Sequence, residues 1–460
     1  MTGATITETF VEKLLALDFR SVPEEAIEIS RQVMLDGLAC AFAGSIEPLG
    51  VGRISTAYVR GMGGAPQATV INGGFRTSMP NAAYANGTMM NALDFDNSLY
   101  PPTHPTSPTL PAILAIAENH RLPGAKIVEA IVAAIEAQAR LRRAATGMAV
   151  GQGFHKPGVI GMFGAVTAAA KLLGLTREQA LMAFGLAGSR AAGLSINTGT
   201  MTKPSHAGNA ARMGVECGLL AKKGWTASAD VFGPKGFFDT FMAGNADTEL
   251  LTQNFGAPLL MLDPGVGFKA YPCNYFTHRP IEAALALREE FAIAPSQIER
   301  VDIVFPAFDY VNRPRPRDGL DAKFSVQYTT LAALLDGEIG PDTFTNERVN
   351  APDVAAMLPK MHFQVDATIP FDKVTMHVTV SIRLKDGREV SKRVDRLLGW
   401  PGKAGNPLTR DQRLRKFFSC ARRVLAREEA TRILELVERL ETLPDVVEIM
   451  DIARCERDKT

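Results

Sequence analysis

The spacing of apolar positions divides the chain into stretches of two kinds. Over the first two thirds they recur at helical intervals. In "ITETFVEKLLALDF" Phe10, Leu14 and Leu15 share one face, behind a cap placed at Thr7. "PEEAIEISRQVMLDGLACAFAG" opens on Pro23 and two glutamates, which suit the positive end of a helix, and closes on Gly44. "NAAYANGTMMNALDFDN" predicts a helix rich in small residues. "VIGMFGAVTAAAKLLG" sets Gly161, Gly164, Ala165, Ala168 and Ala169 at helical spacing, and "EQALMAFGLAGSRAAGL" and "AGNAARMGVECGLLAKKG" repeat the style. A glycine inside a helix costs about 1 kcal/mol relative to alanine. Its repeated use predicts closely packed backbones, in a bundle thick enough to hide a polar pocket.

After about Gly265 the period shortens to two. "IERVDIVFP" is a short β-branched run. In "KVTMHVTVSIRLKDGREVSKRV" Val374, Met376, Val378, Val380, Ile382 and Leu384 face one way, and Thr375, His377, Thr379, Ser381 and Arg383 the other. Asp386-Gly387 supplies a hairpin turn, so this region predicts a half-buried antiparallel sheet. "GWPGKAGNPLT" reads as a linker, after which "TRDQRLRKFFSCARRVL" and "REEATRILELVERLETL" return to helix. The expected architecture is mainly α. A large discontinuous all-helical domain (1–264 and 406–460) receives an inserted, smaller α+β lid domain (265–405).

Composition narrows the class. The formal net charge of +1 offers no basic face for nucleic acid. "MTGATITETFVEKLL" lacks a basic leader, and the apolar "KIVEAIVAAIEAQARL" contains Glu129 and Glu136, so no membrane partner is expected. Cys40, Cys217, Cys273, Cys420 and Cys455 are scattered and never form CxxC, which points to a reducing cytoplasm.

Candidate chemistry concentrates on histidine. His120, His362 and His377 read as ordinary surface or structural residues. His104, His155, His206 and His278 each fall in a Gly/Pro-rich turn near a predicted helix start, and Lys203 and Lys269 lie close by in sequence. Helix N-termini bind anions and lower the pKa of a neighbouring imidazole. Several of them converging with two lysines predict a pocket for a small molecule carrying several carboxylates. HxxxH, HxH and HExxH are absent and lysines would repel a cation, so no metal is expected. "GVGF" and "GQGF" follow no strand and lack a third glycine, which excludes dinucleotide and P-loop readings.

The ordered segments "ALDFDN…HPT", "GFHKPGVIGMFGAVTAAAKLLGL", "GTMTKPSHAGNAARMGV", "FKAYPCNYFTHRPIEAAL", "YVNRP", "KFSVQYTTLAALLDGEI" and "NPLTRDQRLRKF" together resemble the MmgE/PrpD family. That family includes 2-methylcitrate dehydratases, cis-aconitate decarboxylases and an iminodisuccinate epimerase. The resemblance implies a homodimer that needs no metal or organic cofactor, with its site between the helical domain and the lid. By motif, His104, Asp94, His155, Lys203 and Lys269 are expected to carry the chemistry. His278, His206, Asn97, Thr106 and Tyr310 are expected to bind substrate. Asn97 stands where an aspartate is usual, Thr106 where serine is common, and Lys156-Pro157-Gly158 replaces a polar stretch that often carries threonine. These positions are expected to line the pocket and set the substrate.

All reactions of this group place charge beside a carboxylate. Lys203 and Lys269 are the natural groups to meet it. His104 is the expected acid/base, held by a loop with five prolines and oriented by Asp94. The simplest expectation is a hydro-lyase of the 2-methylcitrate dehydratase type. Decarboxylation of cis-aconitate and epimerisation of a dicarboxylate use the same site. A metal-dependent hydrolase and a non-catalytic carboxylate-binding scaffold are the alternatives from other classes.

Overall fold

The computed structural model describes residues 3–148, 153–372, 375–402 and 405–455. Mainly helical, it builds its hydrophobic residues into two large cores. The first gathers Phe10 to Phe268 and then Leu408 to Ala453; the second gathers Cys273 to Leu384. The last helices therefore complete a core begun at the N-terminus. Among the described residues no helix is long and apolar enough to cross a membrane.

The first helix, Ile6–Ala16, begins two residues earlier than the motif suggested. Its cap is Thr5, not Thr7, because Thr5 and Glu8 have the spacing of a capping box. The Thr5 hydroxyl accepts from the Glu8 N–H at 3.2 Å, and the Glu8 carboxylate accepts from the Thr5 N–H at 2.8 Å. Thr7 instead donates to Asp230 at 2.7 Å. The small-residue helices pack as closely as their composition predicts. Gly208 in helix Thr202–Lys222 crosses helix Met79–Ala92, and a Cβ there would sit 2.3 Å from the Tyr84 carbonyl oxygen. Gly214 of the same helix meets Ala165 of helix Gly161–Leu172, where a Cβ would lie 2.4 Å from the Ala165 Cβ.

Helix Met79–Ala92 stops short of the aspartates that the sequence placed on it. Asp94 takes a left-handed backbone, φ 50°. This conformation is unfavourable for most L-residues but tolerated by Asp and Asn. It ends the helix and turns the chain toward the interior.

The second core lies on a four-stranded sheet, ordered Met361–Val365, Ile298–Phe305, Val378–Leu384, Glu389–Val394. Val378, Val380, Ile382 and Leu384 are buried as the alternation requires, and Gly387 turns the hairpin at φ 87°. Met376 is buried but precedes the strand, and Val374 lies outside the described residues. The sheet is mixed, not purely antiparallel: Met361–Val365 runs parallel to Ile298–Phe305 after an excursion that contains helix Val326–Asp336. Such a connection is long enough to return the chain in the same direction. The Gly/Pro segment after Leu398 is a packed connection, not a loose linker. Trp400 is fully buried, edge-on to Tyr275 at 5.8 Å.

Candidate active site

Asp94 is the centre of the site. Its left-handed turn buries the carboxylate, and two ammonium groups converge on it. Lys203 enters from the first turn of helix Thr202–Lys222 and binds Oδ1; Lys269 binds Oδ2 at 2.9 Å and also donates to the Asp94 carbonyl oxygen. Burial works to raise the Asp94 pKa. Lys203 and then Lys269 outweigh it and hold the carboxyl well below its usual range. The two lysines, far apart in sequence, thus share one anion.

His104 stands against this cluster. Its Nε2 is 3.4 Å from Asp94 Oδ1, and its Nδ1 is 3.1 Å from Asp96 Oδ1, off the line of a good hydrogen bond. Asp96 is fully buried and accepts from Asn91 Nδ2 at 3.0 Å. Burial favours its neutral form, but His104 and then Lys269 keep its pKa below the ordinary value. The orienting carboxylates are therefore two. "LDFDN" displays both, but chemistry was assigned only to Asp94.

The proline-rich loop is held at several points. The Leu99 N–H donates to the Thr103 carbonyl oxygen at 3.0 Å. The Pro105 carbonyl oxygen accepts from Gln138 Nε2 at 3.0 Å and from the Thr109 hydroxyl at 2.6 Å. Lys416, on helix Arg410–Ala421, pairs with buried Asp36 at 2.6 Å. The same ammonium donates to the Phe95 carbonyl oxygen at 2.8 Å and the Lys269 carbonyl oxygen at 3.1 Å. It ties together the two segments that bring Asp94 and Lys269 to the site.

One cavity collects most of the expected residues. Asp94, His104, His155, Lys203, Lys269 and Tyr310 line it, with Phe276 and Phe324 supplied by the α+β side. The Tyr310 hydroxyl donates to Thr198 Oγ1 at 3.1 Å, and burial pushes its phenol up to about 12. Four expected residues do not line the cavity. His206 lies within helix Thr202–Lys222 and meets His155, Nδ1 to Nδ1, at 3.1 Å. His278 is packed between the rings of Tyr271 and Tyr275, and Tyr275 faces the cavity in its place. Asn97 and Thr106 are fully buried. Ser98 forms an extended bridge with Gly267, and neighbours in extended chain face opposite ways. Ser98 therefore lines the cavity and Asn97 turns away from it. Sequence reasoning missed Ser98, Asp96 and Ser195 as site residues. It did mark Lys156 and Pro157 as departures from the family pattern, and both reach the wall.

The His155–His206 contact needs one nitrogen to donate and the other to accept, which two neutral rings of opposite tautomer satisfy. Burial and then Lys203 lower both rings, His206 to about 4 and His155 well below its ordinary value. An unfolded histidine titrates near about 6.5. Between these values the unfolded chain binds more protons, so stability falls as pH drops from about 6.5 toward 4. Denaturant unfolding at a series of pH values should show this slope, and His206→Asn should flatten it. Identical slopes in parent and variant would remove the pair from the account.

Asp94, Asp96 and His104 could offer three metal-ligand atoms within 4.8 Å of one another. An ion there would face Lys203 and Lys269, already on Asp94, so the donor set fits a proton-transfer site better than a cation site.

The cavity lies between a helical core and an α+β core and carries three lysines, two imidazoles and a buried carboxylate on its lining. The chain belongs to the MmgE/PrpD family: the MmgE/PrpD N-terminal domain matches residues 8–250 and the MmgE/PrpD C-terminal domain residues 271–442. It is 31% identical to a cis-aconitate decarboxylase of Mus musculus over 454 residues, covering 96% of this chain and 92% of the relative. The cis-aconitate decarboxylase of Homo sapiens is 30% identical over 453 residues, with 96% and 93% covered. A mitochondrial 2-methylcitrate dehydratase of Yarrowia lipolytica is 25% identical over 413 residues, with 80% and 75% covered.

Proposed function

We propose that this protein is a lyase acting on a small tricarboxylate, and that its reaction is decarboxylation of cis-aconitate. The observation that carries the reading is the convergence of His104 on a carboxylate already shared by two lysines. In cis-aconitate the carboxylate on the methylene carbon leaves as carbon dioxide. The electron pair of the broken C–C bond enters the allylic system. It comes to rest on the carbon α to a remaining carboxylate, where a C–H bond then forms, giving 2-methylenesuccinate. The charge that develops on that carboxylate needs fixed cations nearby, which Lys203 and Lys269 supply. The proton needs a carrier at the cavity edge, which is His104. The near full-length similarity to cis-aconitate decarboxylases supports this choice over dehydration.

Dehydration of a 2-methylcitrate-like substrate is the second reading. It needs a base at the Cα–H and an acid at the leaving hydroxyl. His155, a second imidazole lining the cavity, favours it. In either reaction the protein works as a homodimer without metal or organic cofactor, and the α+β domain acts as a lid.

One NMR experiment in D₂O separates the outcomes. The enzyme is offered cis-aconitate, 2-methylcitrate, citrate, iminodisuccinate and tartrates. Expected from cis-aconitate is carbon dioxide release with one deuterium at the new methylene carbon. Water loss from 2-methylcitrate alone would assign the dehydratase, and inversion with α-deuteration alone an epimerase. An unchanged panel would end the lyase reading.

A further inference from the structure

Lys156 is the first residue of the short helix Lys156–Val159, directly after His155, and the residue is 5% exposed. It lines the cavity, as do Pro102, Thr103 and Pro157. Near it lies a second buried cation, Arg142. Its guanidinium donates to the carbonyl oxygens of Pro102 at 3.3 Å, Ala145 at 3.1 Å and Met148 at 2.9 Å. Burial and then Arg142 depress the Lys156 ammonium to about 7. Elsewhere on the cavity, Lys203 and Lys269 already share the Asp94 carboxylate. A trianion brings more negative charge than those two can match. A buried ammonium group beside a like charge gains most when an anion arrives next to it.

We propose that Lys156 is a specificity-determining residue that pairs with a substrate carboxylate remote from the reacting carbon, so that the cavity selects tricarboxylates over dicarboxylates. This rests on the reading of the cavity as a tricarboxylate site.

The test uses two unreactive ligands that differ by one carboxylate, propane-1,2,3-tricarboxylate and glutarate. Binding is measured by calorimetry. The parent should prefer the tricarboxylate, and Lys156→Gln should lose on the order of 30-fold or more of that preference, as when one partner of a buried ion pair is removed. Lys156→Arg, which keeps the charge, should retain more of it. A folded Lys156→Gln variant with the parent's preference overturns the proposal. A parent that binds neither compound overturns the tricarboxylate reading itself.

A second measurement follows the proton. At pH 8 the parent, titrated in buffers of different ionisation enthalpy, should take up about one proton more with the tricarboxylate than with glutarate. Asp94, His104, His155, Lys203, Lys269 and Tyr310 also line the cavity and Arg142 lies near Lys156, so the same titration of Lys156→Gln assigns the proton: the excess should vanish in that variant. An excess that survives in Lys156→Gln overturns the assignment.

Discussion

Replacing His104 with alanine is expected to lower kcat by about 10²–10⁴-fold, the usual worth of a positioned acid or base, while the chain stays folded. The ring sits at the cavity edge with 15% of its side chain exposed, so its removal opens little of the core. Asp94 keeps both lysines and Asp96 keeps Asn91. The loss should therefore appear in turnover more than in KM. Steady-state kinetics on the NMR-identified substrate, with circular dichroism as the folding control, decides it. Turnover near that of the parent would show that the proton moves through another group, His155 being the other imidazole that lines the cavity.

Replacing Asp94 with alanine should act first on stability. It leaves Lys203 and Lys269 buried without the carboxylate they share, and breaking a buried ion pair in this way costs about 3–5 kcal/mol. Asp94 titrates well below an ordinary carboxyl group, so the unfolded chain binds the proton first as pH falls. Its contribution is present at neutral pH and is lost progressively below about pH 4, the unfolded value. The deficit of the variant should accordingly be largest near neutrality and shrink on acidification. Urea unfolding at pH 7 and at about pH 3, below the unfolded value, measures both parts. A deficit below about 1 kcal/mol at pH 7 would mean that the lysines find other anions or lose their protons.

Both variants act on residues that were readable from sequence, and the reason is chemical. Histidines and lysines in glycine- and proline-rich turns are scarce enough to be weighed singly; His104, His155, Lys203 and Lys269 reach the cavity, His206 and His278, marked on the same ground, do not, and Asp94 was marked by the family motif. The period-two alternation from Val378 to Leu384 and the glycine-rich helix contacts were legible for the same reason: each leaves a local pattern. What escaped depends on direction. Asn97 and Ser98 are adjacent, and a single extended bridge to Gly267 decides which of them faces the cavity. The positive φ of Asp94 ends a helix that composition alone would have continued. Asp96 was visible as a carboxylate, but its place under His104 required the turn. The parallel partner of Ile298–Phe305 lies 60 residues further on, beyond any local signal.

The contacts of Lys416 bear on how this enzyme comes into being at the ribosome. Its ammonium group fixes carbonyl oxygens of Phe95 and Lys269, and it is 321 positions later in the chain than Phe95. Asp94, His104 and Lys203 all emerge long before it does. During synthesis the nascent polypeptide can carry the reactive groups while the clamp that aligns their backbones is still untranslated. A chain cut off before Lys416 holds Asp94, His104 and Lys203 without the ammonium group that ties the Asp94 and Lys269 segments together.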